Sequence, residues 1–184
     1  MTVTIKTKST SSRYILLTLI AAIVTWILHE FAHWLAGTLL GYKMGMGLNQ
    51  TFPYQAYDTD RDYQLISAAG PAFTLLQAVV IFIIMQRKKI ISLYPFLFTC
   101  FYMRLLAAMI STLNPNDEAR ISKEMGWGTY TLPVIVVAFL FFLVYKISGK
   151  YHLGGKFNMI TLGWVILFSS VIILTDQFFH IRLL

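Results

Sequence analysis

The chain has a single cysteine, Cys100. An internal disulfide needs two thiols and a thiolate metal cluster needs several, so both are excluded, and the place of Cys100 in an apolar run makes it a small buried hydrophobe. Charge is scarce too. Asp, Glu, Lys and Arg make up 12% of the 184 residues against 57% hydrophobic, and the mean hydropathy is +0.66. That balance excludes a soluble domain, and the length leaves no room for a large second one. Neither an internal repeat nor a low-complexity tract is present. Residues 1–184 therefore read as one integral membrane domain. The net charge of +7 raises nucleic acid as a partner. The basic side chains, however, lie in short clusters between apolar runs, where they act as topology signals and contacts to the lipid bilayer. Nucleic acid is set aside on that ground.

Five apolar runs are long enough to span a membrane, so the expected fold class is an all-α polytopic membrane protein. They cover about Tyr14–Leu40, Tyr63–Met85, Ile90–Ser111, Thr131–Ile147 and Asn158–Phe179. The basic start before the first run resembles a signal peptide, but the run is too long for one and ends without a small-residue cleavage site. It is read as a retained helix. Between the first two runs, glycines at 41, 45 and 47 precede Phe52, Pro53, Tyr54 and Tyr57, and then Asp58, Asp60 and Asp62. Partial alternation with glycine suits a short irregular strand or hairpin at the interface, its aromatics serving as interfacial anchors. Asn49-Gln50-Thr51 also fits a glycosylation sequon, a pattern too short to carry weight.

Inside the first run stands His29-Glu30-Phe31-Ala32-His33. Four residues is just over one helical turn, so both histidines project from one face and can ligate one Zn²⁺, with Glu30 beside them as a general base for water. Three polar groups in hydrocarbon are costly unless they pair or bind something, so they mark a functional site. Asp117, in the turn-like break Leu113-Asn114-Pro115-Asn116-Asp117-Glu118, can supply a third, carboxylate ligand and leave one position for water. Read alone, that break is an ordinary turn or helix cap.

Other polar residues within the runs admit two readings each. Ala69-Gly70-Pro71 either starts a helix near Pro71, with residues 63–70 extended or broken, or merely kinks an ordinary span. Arg104 either snorkels or pairs with an acid. Ser148 to Lys156 reads as a linker. Asp176 and His180, four apart at the end of the last run, suit a solvated interfacial pair better than a second metal site.

These motifs resemble the site-two protease family of intramembrane zinc metalloproteases. The resemblance rests on His29-Glu30-Phe31-Ala32-His33 with the following Ala36 and Gly41, on Ala69-Gly70-Pro71, and on Asn114-Pro115-Asn116-Asp117, which is similar to the family's Asn-Pro-x-Asp-Gly signature. It implies a three-helix catalytic core over about residues 14–118 with accessory helices over about 130–183. Zn²⁺ would be held by His29, His33 and Asp117, and Glu30 would be the catalytic base. Gly70, Pro71, Thr74, Arg104 and Asn114 would lie around the metal or the substrate. Three positions depart from the pattern: Ala32 replaces a common glycine, Thr74 stands where an asparagine commonly follows Gly-Pro, and Glu118 replaces the glycine after the ligand aspartate. The chain also has no room for the PDZ domain of many relatives.

The implied activity is hydrolysis of peptide bonds in or near a transmembrane segment of a membrane-protein substrate. The implied partners are that substrate, the lipid bilayer and a membrane protein regulating access. A noncatalytic zinc-binding regulatory protein is the competing class, and the intact Glu30 favours the enzyme. A small metal transporter is disfavoured, because the polar groups cluster at one depth. Nine basic residues on the N-terminal side, Lys6, Lys8, Arg13, Arg87, Lys88, Lys89, Lys146, Lys150 and Lys156, face five on the other. Positive-inside asymmetry then places the N-terminus in the cytoplasm and the metal toward the outer side, whereas the resemblance implies a site opening to the cytoplasm.

Overall fold

The computed structural model describes residues 9–184, so Lys6 and Lys8 of the basic start lie outside the described residues. Its elements are α1 (Ser12–Leu39), a hairpin of β1 (Met44–Met46) and β2 (Thr51–Pro53), α2 (Asp60–Arg87), a 3₁₀ turn at Ile91–Leu93, α3 (Tyr94–Ile110), α4 (Asp117–Glu124), α5 (Thr131–Lys150) and α6 (Gly155–Phe179). All but α4 among the helices are long and apolar enough to span a bilayer, α3 together with the 3₁₀ turn that leads into it. Large apolar side chains cover the outside, among them Leu16, Leu76, Val134, Phe141 and Phe178, each more than half exposed. In water such a surface would aggregate. The chain is a multi-pass membrane protein.

Helices in lipid gain nothing by hiding apolar surface from one another, so close packing and polar contacts hold them together. On α1 the inward stripe is small: Thr18, Ala21, Ala22 and Thr25 have no exposed surface. These let α1 pack against α2, α3 and α6. Polar side chains then tie the bundle. Tyr14 and Thr161 hydroxyls meet at 2.9 Å, Trp26 Nε1 donates to Ser169 Oγ at 3.1 Å, and Gln77 Nε2 donates to Thr25 Oγ1 at 3.0 Å. A larger apolar cluster joins α2, α3, α5 and α6 through Ala78, Met85, Leu97, Leu140, Ile147 and Val165, and Cys100 is buried within it.

The structure decides between the two readings at Pro71 and corrects one helix limit. Residues 63–70 are neither extended nor broken: α2 starts at Asp60, capped by the Thr59 hydroxyl, and runs through Pro71. Proline forfeits one helical hydrogen bond and crowds the Cβ of the residue before it. That residue is Gly70, which has no Cβ to crowd, so the helix continues. The linker expected over 148–156 shrinks to 151–154, because α5 runs on to Lys150 and α6 begins at Gly155. Ser148 helps close this turn, donating to Leu153 O at 3.1 Å and accepting from Asn158 Nδ2 at 2.8 Å.

The expected hairpin is present, antiparallel with Gly45 opposite Phe52. It leans on the far end of the chain. Met46 N–H donates to Leu184 O at 3.1 Å, and Leu183 N–H donates back to Met46 O at 2.8 Å. Tyr42 anchors the other flank by donating to Asp62 at 2.9 Å. Burial and that carboxylate push the Tyr42 phenol above its ordinary range, so it stays a donor.

The interfacial pair expected of Asp176 and His180 is also corrected. Asp176 is buried at 2% exposure and its Oδ1 accepts the Leu48 N–H at 2.9 Å, while His180 is exposed at the left-handed end of α6. The carboxylate fits there because Gly47 has no side chain; a Cβ would come within 2.7 Å of Oδ1. Asp176→Ala orphans a partly buried N–H and should lower stability by about 1–3 kcal/mol in thermal unfolding in detergent. Asp176→Asn keeps an acceptor and His180→Ala removes nothing, so both should melt close to wild type. Equal melting of all three variants would mean that Asp176 does not hold the hairpin.

Candidate metal centre

A charged or polar group in the middle of a helix bundle has to be met from the neighbouring helices, and here four elements converge. From α1 come His29, Glu30 and His33, exposed by only 3%, 6% and 8%. α2 passes so close that a Cβ at Gly70 would lie 2.2 Å from His33 Nε2 and 2.5 Å from His29 Cε1. α3 contributes Arg104, and Asp117 opens α4. Pro71 is buried next to Gly70 without a polar contact, and Asn114 is exposed at the rim.

The hydrogen bonds assign the imidazole tautomers. His29 Nδ1 lies 3.0 Å from Thr74 Oγ1, whose own proton goes to Gly70 O at 3.0 Å. A hydroxyl that has given its proton can only accept, so the hydrogen is on Nδ1. His33 Nδ1 lies 2.6 Å from Ile66 O, again an acceptor only. With each Nδ1 donating, both rings in their neutral form turn an Nε2 lone pair inward; the two Nε2 atoms lie 3.2 Å apart, and that of His29 lies 3.3 Å from Arg104 Nη2. Asp117 Oδ2 lies 3.4 Å from each Nε2. With both rings neutral, three acceptors converge on one small space, an arrangement that suits a cation among them. Ligands at zinc's usual N and O distances of about 2.0–2.1 Å stand about 3.3 Å apart at the corners of a tetrahedron. The donor set thus fits a small tetrahedral cation, and the second-ring hydrogen bonds are of the kind that fix metal-binding imidazoles.

Further polar groups complete the surroundings. Arg120 Nη2 holds Asp117 Oδ1 at 2.6 Å and so leaves Oδ2 for the histidine side. The Thr51 hydroxyl lies 3.0 Å from both Glu30 O and Glu30 Oε2, sharing one proton between them. Of the two readings left open for Arg104, pairing holds: it is 4% exposed, and Nη1 lies 3.0 Å from Glu118 Oε1. Three carboxyl groups, Glu30, Asp117 and Glu118, and two guanidiniums, Arg104 and Arg120, thus surround the histidine pair. A cavity of about 620 Å³ opens on the group, lined by His29, Glu30, His33, Thr51, Asn114 and Asp117 among others.

The residues singled out in the sequence as ligands come together: His29, His33 and Asp117 form a buried group that can hold a metal ion. The chain matches no protein-family model, no curated protein and no solved structure. The group's geometry is therefore what speaks for its chemistry. Thr51, Arg120, Ile66 O and the partnership of Glu118 with Arg104 were not foreseen. Only Arg120 carried a signal, its i, i+3 spacing from Asp117.

Two outcomes are expected. Elemental analysis of detergent-purified protein should give one zinc per chain, lost in the His29→Ala, His33→Ala double variant; full retention by that variant would refute the site. Gly70→Ala should empty the site as thoroughly without touching a ligand, because its methyl would overlap the two imidazoles. Zinc content near wild type in Gly70→Ala would mean that the helices part easily.

Proposed function

We propose that the chain is an intramembrane zinc metallopeptidase that hydrolyses peptide bonds in or beside transmembrane segments of other membrane proteins. The observation that carries this reading is the pair of bare Nε2 atoms completed by Asp117 Oδ2, with Glu30 next to them on the wall of the same cavity. A purely structural zinc site has no use for a cavity or for a carboxylate held beside the ligands. His29, His33 and Asp117 would hold the ion, which supplies Lewis acidity that makes water a nucleophile near neutral pH.

The remaining chemistry belongs to the chain's own side chains. Glu30 accepts a proton from the attacking water as the water oxygen bonds to the peptide carbonyl carbon and the π pair moves onto the carbonyl oxygen. When that pair returns, the C–N bond breaks and the proton held by Glu30 passes to the leaving nitrogen. Thr51 keeps the carboxylate oriented for both transfers. Substrate has to be unwound where it is cut, since a helix hides its carbonyls. β1 is engaged on both edges, by β2 and by residues 183–184, and among the described residues β2 has no ladder partner on its outer edge. An extended substrate segment adding along β2 would gain backbone hydrogen bonds at the cavity wall. This also gives Phe52 and Tyr57, which line the cavity, a role beyond anchoring.

Co-expression with candidate single-span proteins tests the reading by the appearance of fragments that depend on Glu30. Glu30→Gln keeps volume and hydrogen bonding but cannot take the proton. It should abolish cleavage, a loss of about 10²- to 10⁴-fold for a missing general base, while zinc stays at one per chain. Asp117→Ala should lose zinc and activity together. Cleavage by Glu30→Gln at the wild-type rate would refute the mechanism, and a zinc-loaded wild type that cuts no substrate would favour a noncatalytic regulatory protein.

A further inference from the structure

Attack on a peptide carbonyl places negative charge on its oxygen, and fixed donors at that oxygen are a large part of catalysis in buried sites. The hydroxyl and amide donors nearest the histidines are largely engaged elsewhere. Thr74 gives its proton to Gly70 O and accepts from His29; Thr51 spends its proton on Glu30. Asn116 Nδ2 donates to Ala107 O at 2.9 Å. The two terminal nitrogens of Arg120 are engaged by Asp117, Ser67 and Pro115.

Arg104 is different. It lies on the same face of α3 as Leu97 and Cys100, both without exposed surface, so it occupies a position whose helical spacing calls for an apolar residue. Its Nη1 donates to Glu118 Oε1 and Oε2 at 3.0 and 3.2 Å and lies 3.6 Å from Asp117 Oδ2. Its Nη2 has one hydrogen-bond neighbour, His29 Nε2, at 3.3 Å, and its buried Nε, like that of Arg120, has no acceptor. The His29 Nε2 lone pair can serve one partner only. If it ligates a cation, the Nη2 hydrogens lose their acceptor, and a buried guanidinium is left with unmet donors on the cavity wall. An anionic oxygen beside the metal ligands would satisfy them.

Resting on the peptidase reading, we propose that Arg104 is a catalytic residue whose Nη2 donates to the scissile carbonyl oxygen as it becomes anionic, and that Glu118 is the positioning residue that holds the guanidinium there. Glu118 is one of the departures from the resembled signature, and Arg104 is its partner. The two form one device. Glu118 holds one terminal nitrogen, Nη1, through a bond to each carboxylate oxygen, which leaves Nη2 for the reacting oxygen.

The test uses the full-length protein as wild type, Arg104→Lys, and the double variant Arg104→Gln, Glu118→Gln, which removes both charges and leaves neither unpaired. On a cleaved transmembrane substrate the double variant should lose about 10²- to 10³-fold in kcat with KM little changed and one zinc per chain. Arg104→Lys should recover only part of that loss, since one ammonium cannot serve Glu118 and the reacting oxygen together. A second measurement needs no cleavage: cobalt-loaded protein is titrated with acetate and followed by its visible absorption. The double variant should bind acetate at least about tenfold more weakly than wild type, as expected when a charge-assisted hydrogen bond is lost. Weaker acetate binding in the double variant alongside a wild type that cuts nothing would uphold the anion contact and remove the peptidase reading. Wild-type acetate affinity and wild-type kcat in the double variant would overturn the proposal and leave Arg104 and Glu118 a structural pair. Full recovery of kcat by Arg104→Lys would equally overturn the role given to Nη2.

Discussion

Two neutral imidazoles whose Nε2 atoms face each other at 3.2 Å repel, and the carboxylate oxygen 3.4 Å from both makes the repulsion worse. Deep in a helix bundle, such a repulsion is screened less than it would be in bulk water. The rest of the centre can be read as the cost and the containment of that arrangement. Thr74 and Ile66 O fix which nitrogens are bare; Arg120 turns Asp117 so that one oxygen points inward. Gly70 lets a second helix close over the rings, and a bulkier residue there would push the helices apart. Each contact makes sense if the repulsion is relieved by a cation, and together they would be a poor way to build an apo protein.

The same constraint explains why the last helix matters to a centre it does not line with ligands. Glu30 depends on Thr51, Thr51 lies in β2, and β2 is paired with a β1 that is bonded to residues 183–184. Asp176 on α6 holds the turn between the strands through Leu48 N–H. A three-residue hairpin has too few hydrogen bonds to be rigid alone. Its position is set by contacts 128 residues away in the chain, which is how the last helix comes to bear on the orientation of the Glu30 carboxylate.

Much of this was legible in the sequence because membrane proteins restrict the options. Five apolar runs became five spans, since backbone in hydrocarbon has few ways to satisfy itself. His29 and His33 were found by helical spacing alone, and Asp117 by the chemistry of a carboxylate after a turn. What escaped was whatever depends on two distant segments meeting. Thr51 read as part of a sequon and Asp176 as a surface partner of His180; each is a hydrogen-bonding residue whose partner lies on another element. At Pro71 two readings stood open, and the continuous span holds, because the glycine that brings α2 against the histidines also removes a clash that would have opposed the helix.

Thr74 and Glu118 show how departures from a resembled pattern can be related. A threonine at 74 is short, and it is used up in fixing the His29 tautomer, so that helix has no donor to offer a reacting oxygen. A carboxylate at 118 would be an unpaired buried charge by itself, and Arg104 would be another. Paired at 3.0 Å they neutralise one another, and the guanidinium is left with Nη2 facing His29. Replacing both with apolar residues would be easier on stability than keeping them, as buried ion pairs seldom repay their desolvation. Keeping a charged pair at the one point where a second helix could supply a donor is the arrangement expected when the pair serves the chemistry and not the fold.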